Sequence, residues 1–143
     1  MPDGEEGVRR HWHAYAYTGR SYPDSAIRRG EVPAEYPPIE IKDWLRRPAG
    51  QVVATYSDVD AAVSWLEGEL TRNPPVDQEH FPVWDRLLRC RETLLLAAGC
   101  DVVQGYYSKA QQYVSRALVV CPRGEGDSCP YGTTWGSVAD GAM

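Results

Sequence analysis

Residues 81–121, FPVWDRLLRCRETLLLAAGCDVVQGYYSKAQQYVSRALVVC, decide how this chain folds. Pro82 suits a first helical turn, where a missing N–H costs nothing. Val83, Leu87, Cys90, Leu94 and Ala97 then recur at helical spacing, flanked by Trp84, Leu88, Leu95 and Ala98. At about 100° per residue they fill one broad apolar arc, opposite Asp85, Arg89 and Glu92. Gly99 is placed to end the helix in a left-handed cap. Such a helix needs a sheet or other helices to cover it. Arg91 interrupts the arc, either as an edge residue paired with a carboxylate or as an anion-binding or interface arginine.

The remainder of the stretch reads as a β-hairpin, with strands over Asp101 to Tyr107 and Tyr113 to Cys121 and a turn over Ser108 to Gln112. Ala110, Tyr113, Val114, Ala117 and Leu118 also match helical spacing. The β-rich run Leu118-Val119-Val120-Cys121, stopped by Pro122, favours the strand.

Upstream, His11 to Thr18 alternates as a strand. His11, His13, Tyr15 and Tyr17 share one face; Trp12, Ala14, Ala16 and Thr18 share the other. The alanines suit a face beneath a packed helix. The His/Tyr face reads as solvent-facing, with a ligand-facing surface as the sharper alternative. Gln51 to Tyr56 reads as another strand. Ser57 is placed to cap the next helix with Asp60 at the capping-box position, and Asn73-Pro74-Pro75 stops that helix. Between the first two strands, residues 20–50 are broken by Pro23, Pro33, Pro37, Pro38 and Pro48. Asp24 to Arg29 suits one helical turn, Ile39 and Ile41 a short edge strand, and Trp44 with Leu45 an anchoring turn.

The expected architecture is α+β: a small, mostly antiparallel sheet of about four strands with two amphipathic helices packed on one face. Residues 1–8 read as a disordered acidic tail, 9–122 as a single domain with the irregular insert 20–50, and 123–143 as a Gly/Ser-rich tail.

Composition narrows the function classes. The net charge of −5 argues against non-specific nucleic-acid binding, which needs a basic face to displace counterions. No apolar run is long enough to span a bilayer, and the acidic start has no signal-like apolar region, so a cytoplasmic protein is expected. The basic side chains are 13 Arg and 2 Lys, the imprint of a GC-rich coding genome such as that of an actinobacterium or its phages or mobile elements. That bias says nothing about function. Nucleophile-elbow, phosphate-loop, dinucleotide and zinc-protease motifs are all missing.

Two patterns could carry chemistry. Cys121-Pro122 and Cys129-Pro130 flank a glycine-containing loop. Their seven-residue separation is wider than a zinc knuckle, and no second cysteine pair completes a four-sulfur site. The cysteines read first as free tail thiols, with a loop-closing disulfide or a mixed zinc site borrowing His11 or His13 as the alternatives. The second pattern is an excess of large polar aromatics, 5 Trp and 9 Tyr against 1 Phe, alongside the arginines. With no catalytic motif, this favours a binding or regulatory protein that recognises a protein partner or a second copy of itself. The candidate surface is His11, His13, Tyr15, Tyr17, Arg28, Arg29, Trp44, Arg46, Arg47 and Arg91. The alternatives are a zinc metalloprotein and a small enzyme using the His/Tyr face.

Overall fold

A computed structural model describes residues 10–96, 100–123 and 129–131. The expected 1–8 tail, the Gly99 cap and all of the expected 123–143 tail except residues 123 and 129–131 lie outside these residues. The elements are β1 (His11–Gly19), α1 (Asp24–Arg28), β2 (Ala54–Tyr56), α2 (Val59–Arg72), α3 (Val83–Leu94), β3 (Val102–Tyr107) and β4 (Tyr113–Cys121), with 3-10 turns over Ile41–Arg46 and Ala49–Gln51. The strands form one antiparallel sheet in the order β2-β1-β4-β3. The α+β architecture expected from the sequence is the one observed.

The residues at 108–121 resolve as a hairpin. Gln111 takes a left-handed φ of 65°, and the Ser108 hydroxyl accepts from the amides of Ala110 and Gln112. These bonds close the turn that pairs β3 with β4.

Helices α2 and α3 cover the face carrying Trp12 and Ala14, as the small alanines suggested. Leu66, Leu70, Cys90 and Leu94 meet Trp12, Ala14, Val114 and Leu118 there. Helix α2 starts at Asp58 rather than Ser57: its carboxylate accepts the Ala61 N–H at 2.8 Å. Helix α3 ends at Leu94, and only part of its apolar arc is covered. Trp84, Leu88 and Leu95 remain exposed. Arg86, not Arg91, is the arginine this helix sends inside, bonded to Asp77 at 2.9 Å and to Gln104 at 3.0 Å. Its guanidinium also lies 4.3 Å from the centre of the Phe81 ring.

The opposite face corrects the sequence reading. His11, His13, Tyr15 and Tyr17 are buried, not solvent-facing. The irregular segment folds back over Tyr15 and Tyr17. Trp44 stacks on Tyr15 with centroids 4.4 Å apart, and Tyr36 meets Tyr17 edge-on at 4.9 Å. Leu45 and Val52 join Ala117 and Val119 in the same layer. Arg47 pins the segment, donating to the carbonyls of Ala34 at 2.7 Å and Tyr36 at 2.9 Å while lying over Trp44. Ile39 and Ile41 are exposed and form no strand. Pro37 and Pro38 just before them have no N–H to offer a ladder. The second strand shrinks to Ala54–Tyr56, although the Val53 N–H still donates to the Ala14 carbonyl. The sheet is thus covered on both sides, by helices on one and by an aromatic, proline-rich segment on the other.

Candidate metal centre

Period-two alternation places His11 and His13 on one face of β1. The antiparallel register sets His11 directly opposite Cys121 at the end of β4, and His13 opposite Val119. Three groups from two neighbouring strands therefore meet at one corner of the sheet. Cys129 completes the group, and Tyr131 lays its ring 5.6 Å from that of His13. His11, His13 and Cys121 are buried, and Cys129 is half-buried.

The four ligand atoms lie within 4.8 Å of one another, and the cluster could hold a metal ion. The Nε2 atoms of His11 and His13 are 3.2 Å apart. Cys129 Sγ lies 3.3 Å from His13 Nε2 and 3.7 Å from His11 Nε2. A tetrahedral zinc with bonds of about 2.0–2.1 Å to nitrogen and about 2.3 Å to sulfur needs N···N edges of about 3.4 Å and N···S edges of about 3.6 Å. These three separations are within a few tenths of an ångström of the tetrahedral edges.

The surroundings suit ligation. His13 Nδ1 is 2.9 Å from the Thr55 hydroxyl, its cross-strand neighbour on β2. With the Nδ1 proton donated to Thr55, Nε2 presents a lone pair to the cluster. Metal-bound histidines are oriented in this way by the hydrogen bond of the other nitrogen. The mouth of the site is braced by Asp101, which accepts from Arg123 at 2.6 Å and from the Val120 N–H at 2.8 Å.

Burial also sets the protonation states. It lowers the His13 pKa to about 4, with His11 beside it adding to the effect, so the imidazole is neutral at pH 7. Burial, reinforced by the neighbouring Cys129 and opposed by Arg123, pushes the Cys121 thiol up to about 12. The Cys121 thiol therefore keeps its proton until a cation displaces it. Burial and the nearby thiols push the Tyr15 phenol upward as well, and it stays protonated.

A pH dependence follows for metal-free protein. The unfolded chain titrates His13 near its ordinary 6.5 and the folded chain near 4. Between those values the unfolded state binds more protons, so stability rises with pH. Denaturant titrations in chelator should show stability falling from about pH 6.5 to about pH 4, by on the order of 2–3 kcal/mol. His13→Gln should flatten that slope. An unchanged slope would mean that His13 does not titrate as described.

The other expected surface residues do not converge. Tyr17 donates its hydroxyl proton to the Arg20 carbonyl at 2.8 Å, and Trp44 is buried. Arg46 pairs with Asp43 at 3.2 Å, and Arg29 with Glu31 at 3.0 Å. Arg28 is exposed. Arg91 lies on the helical side of the sheet, paired with Asp60 of α2. A cleft of about 560 Å³ lies away from the cluster, lined by Tyr22, Tyr36, Tyr107 and Tyr113 with Pro37 and Pro38. His11, His13 and Tyr15 do not line it. The sequence reading missed Thr55, whose only signal was its place on a neighbouring strand.

Comparison with protein-family models, with curated proteins and with solved structures finds no match.

Proposed function

We propose that the protein is a zinc-binding module in which the ion is structural. The observation that carries this reading is the cluster of His11, His13, Cys121 and Cys129, with all four ligand atoms within 4.8 Å of one another and the spacings among His11, His13 and Cys129 close to tetrahedral edges. A two-nitrogen, two-sulfur tetrahedral set is typical of zinc. Four protein ligands close the coordination shell and leave no position for water or substrate, which separates structural from catalytic zinc. The ion would fasten the segment at Cys129–Tyr131 onto the β1–β4 corner. It would also release the Cys121 proton on binding.

The module is non-catalytic in this reading and acts by recognition. The net charge of −5 favours a protein partner or a second copy of the chain over nucleic acid. No helix among the described residues is long and apolar enough to cross a membrane. A reducing, cytoplasmic setting suits two thiols kept available to a metal.

Elemental analysis of protein purified without chelators tests the proposal, together with a count of reactive thiols. The expected result is about one equivalent of zinc per chain, with Cys121 and Cys129 protected until chelator is added. Protein that contains no zinc, takes none up and leaves both thiols freely reactive would overturn it.

A further inference from the structure

We propose that the tyrosine-lined cleft binds a proline-rich segment of a partner protein, extended as a polyproline II helix and carrying a basic residue. The proposal rests on the recognition part of the reading above and is independent of the zinc ion.

The walls of the cleft come from two parts of the chain. Tyr22 and Tyr36 belong to the irregular segment, whereas Tyr107 ends β3 and Tyr113 begins β4. A hydrogen bond of 2.8 Å between the Ser21 and Tyr107 hydroxyls joins the two walls. The volume of about 560 Å³ lies within the range of about 300–1,000 Å³ typical of sites for drug-sized ligands, so the cleft has room for several side chains. Its shape is preset. Tyr36 is buried, and its hydroxyl accepts the Tyr22 N–H at 2.9 Å. Pro37 and Pro38 stiffen the backbone that follows. A site that is already ordered loses little entropy on binding.

The rings form a row. Tyr22 lies 5.1 Å from Tyr36, Tyr36 lies 6.3 Å from Tyr113, and Tyr113 lies 5.8 Å from Tyr107, centroid to centroid. A polyproline II helix advances about 9 Å in a turn of three residues, so a few residues reach along the row. Aromatic-lined grooves hold such helices by packing against the proline rings. The helix has no internal hydrogen bonds, and its carbonyls need outside donors. Among the described residues, the hydroxyls of Tyr22 and Tyr113 make no hydrogen bond, which leaves both able to donate.

Charge selects the rest of the ligand. Asp24 lines the cleft, is exposed and makes no ion pair among the described residues. No described lysine or arginine lines it; Arg20 lies over the Tyr22 ring at 5.4 Å without joining the lining. A phosphorylated or acidic ligand would find a carboxylate and no counter-charge. A basic side chain beside the prolines would find its partner in Asp24.

Amide NMR titrations test the proposal with three synthetic peptides: a proline run ending in arginine, the same run ending in glutamate, and a Gly/Ser run ending in arginine. The zinc content of the sample is recorded alongside. The first peptide should give saturable shifts at the four tyrosines, the second weaker ones and the third none. Tyr107→Ala removes a ring that is 51 % exposed and should weaken the first peptide about tenfold. Asp24→Asn should weaken it by up to about fivefold and should not weaken the glutamate peptide. Both substitutions are at the surface, and the amide spectrum of each variant checks that the fold is kept. No shifts at millimolar peptide, shifts confined to other parts of the sheet, or an unchanged affinity in Tyr107→Ala would overturn the proposal. An equal response to the Gly/Ser peptide would overturn it too, by showing a site for a cation alone. Equal affinity for the two proline peptides would overturn the role of Asp24. Zinc-free protein that binds the first peptide would leave the cleft standing and the zinc reading not; zinc-loaded protein that ignores all three would do the reverse.

Discussion

Cys121→Ser is expected to abolish zinc retention and, with it, all stabilisation that zinc confers. At free zinc a thousandfold above Kd, an ion that binds only the folded chain contributes about 4 kcal/mol. For a domain of this size that corresponds to a fall in Tm on the order of 10 °C. The reason is local. Cys121 is buried at the end of β4, opposite His11, and serine at that place offers a neutral hydroxyl where zinc requires a thiolate. Thermal melts with and without zinc check this. Wild type should shift upward with zinc and Cys121→Ser should not move. Cys90→Ala should lower stability yet keep the zinc response, because Cys90 packs in the helical core with Gln104 donating to its sulfur at 3.4 Å. A zinc-dependent shift that survives in Cys121→Ser would place the ion elsewhere.

The second large effect lies across the sheet from the cluster. Arg116 on β4 is buried, and its Nε donates to Glu69 of α2 at 2.8 Å. Its two terminal nitrogens donate to the Tyr17 carbonyl at 2.8 Å and the Thr18 hydroxyl at 2.9 Å. One side chain thus ties α2, β1 and β4 together. Glu69→Leu leaves the guanidinium without its counter-charge in a water-poor place, which should cost about 3–5 kcal/mol. Removing both charges, as Glu69→Leu with Arg116→Met, should cost less than Glu69→Leu alone, because no unpaired charge then remains. Urea denaturation of the three variants checks the order. If the two substitutions instead add, Arg116 contributes through packing and its backbone bonds rather than through the ion pair.

These two residues also show what the sequence could and could not reveal. Periodicity found both main helices and the first strand, because apolar spacing reports which face a core will cover, while the hairpin came from the β-rich run before Pro122. It placed His11 and His13 on one face; the sequence offered Cys121 and Cys129 as partners of one or other of them only as an alternative to free thiols. It had no means of showing that the two pairs meet, because strand register is a tertiary property: only the pairing of His11 with Cys121 brings them together. The His/Tyr face was misread as solvent-facing for a related reason. Polar aromatics look the same in sequence whether water or Trp44 lies above them, and the covering segment has no regular period. Arg86 and Arg116 were overlooked because a buried arginine is recognised by its partners, here Asp77 across a helix start and Glu69 on another element, which no spacing pattern pairs with them. Arg91 drew attention instead, since it interrupts the α3 pattern, yet it meets Asp60 at the surface.

The central claim is that two histidines and two cysteines share one zinc ion. X-ray absorption at the zinc K-edge, on protein loaded with one equivalent, tests it most directly. The account predicts a first shell of two nitrogens at about 2.0–2.1 Å and two sulfurs at about 2.3 Å, with outer scattering from imidazole. A shell of oxygen ligands alone, or one without sulfur, would contradict it.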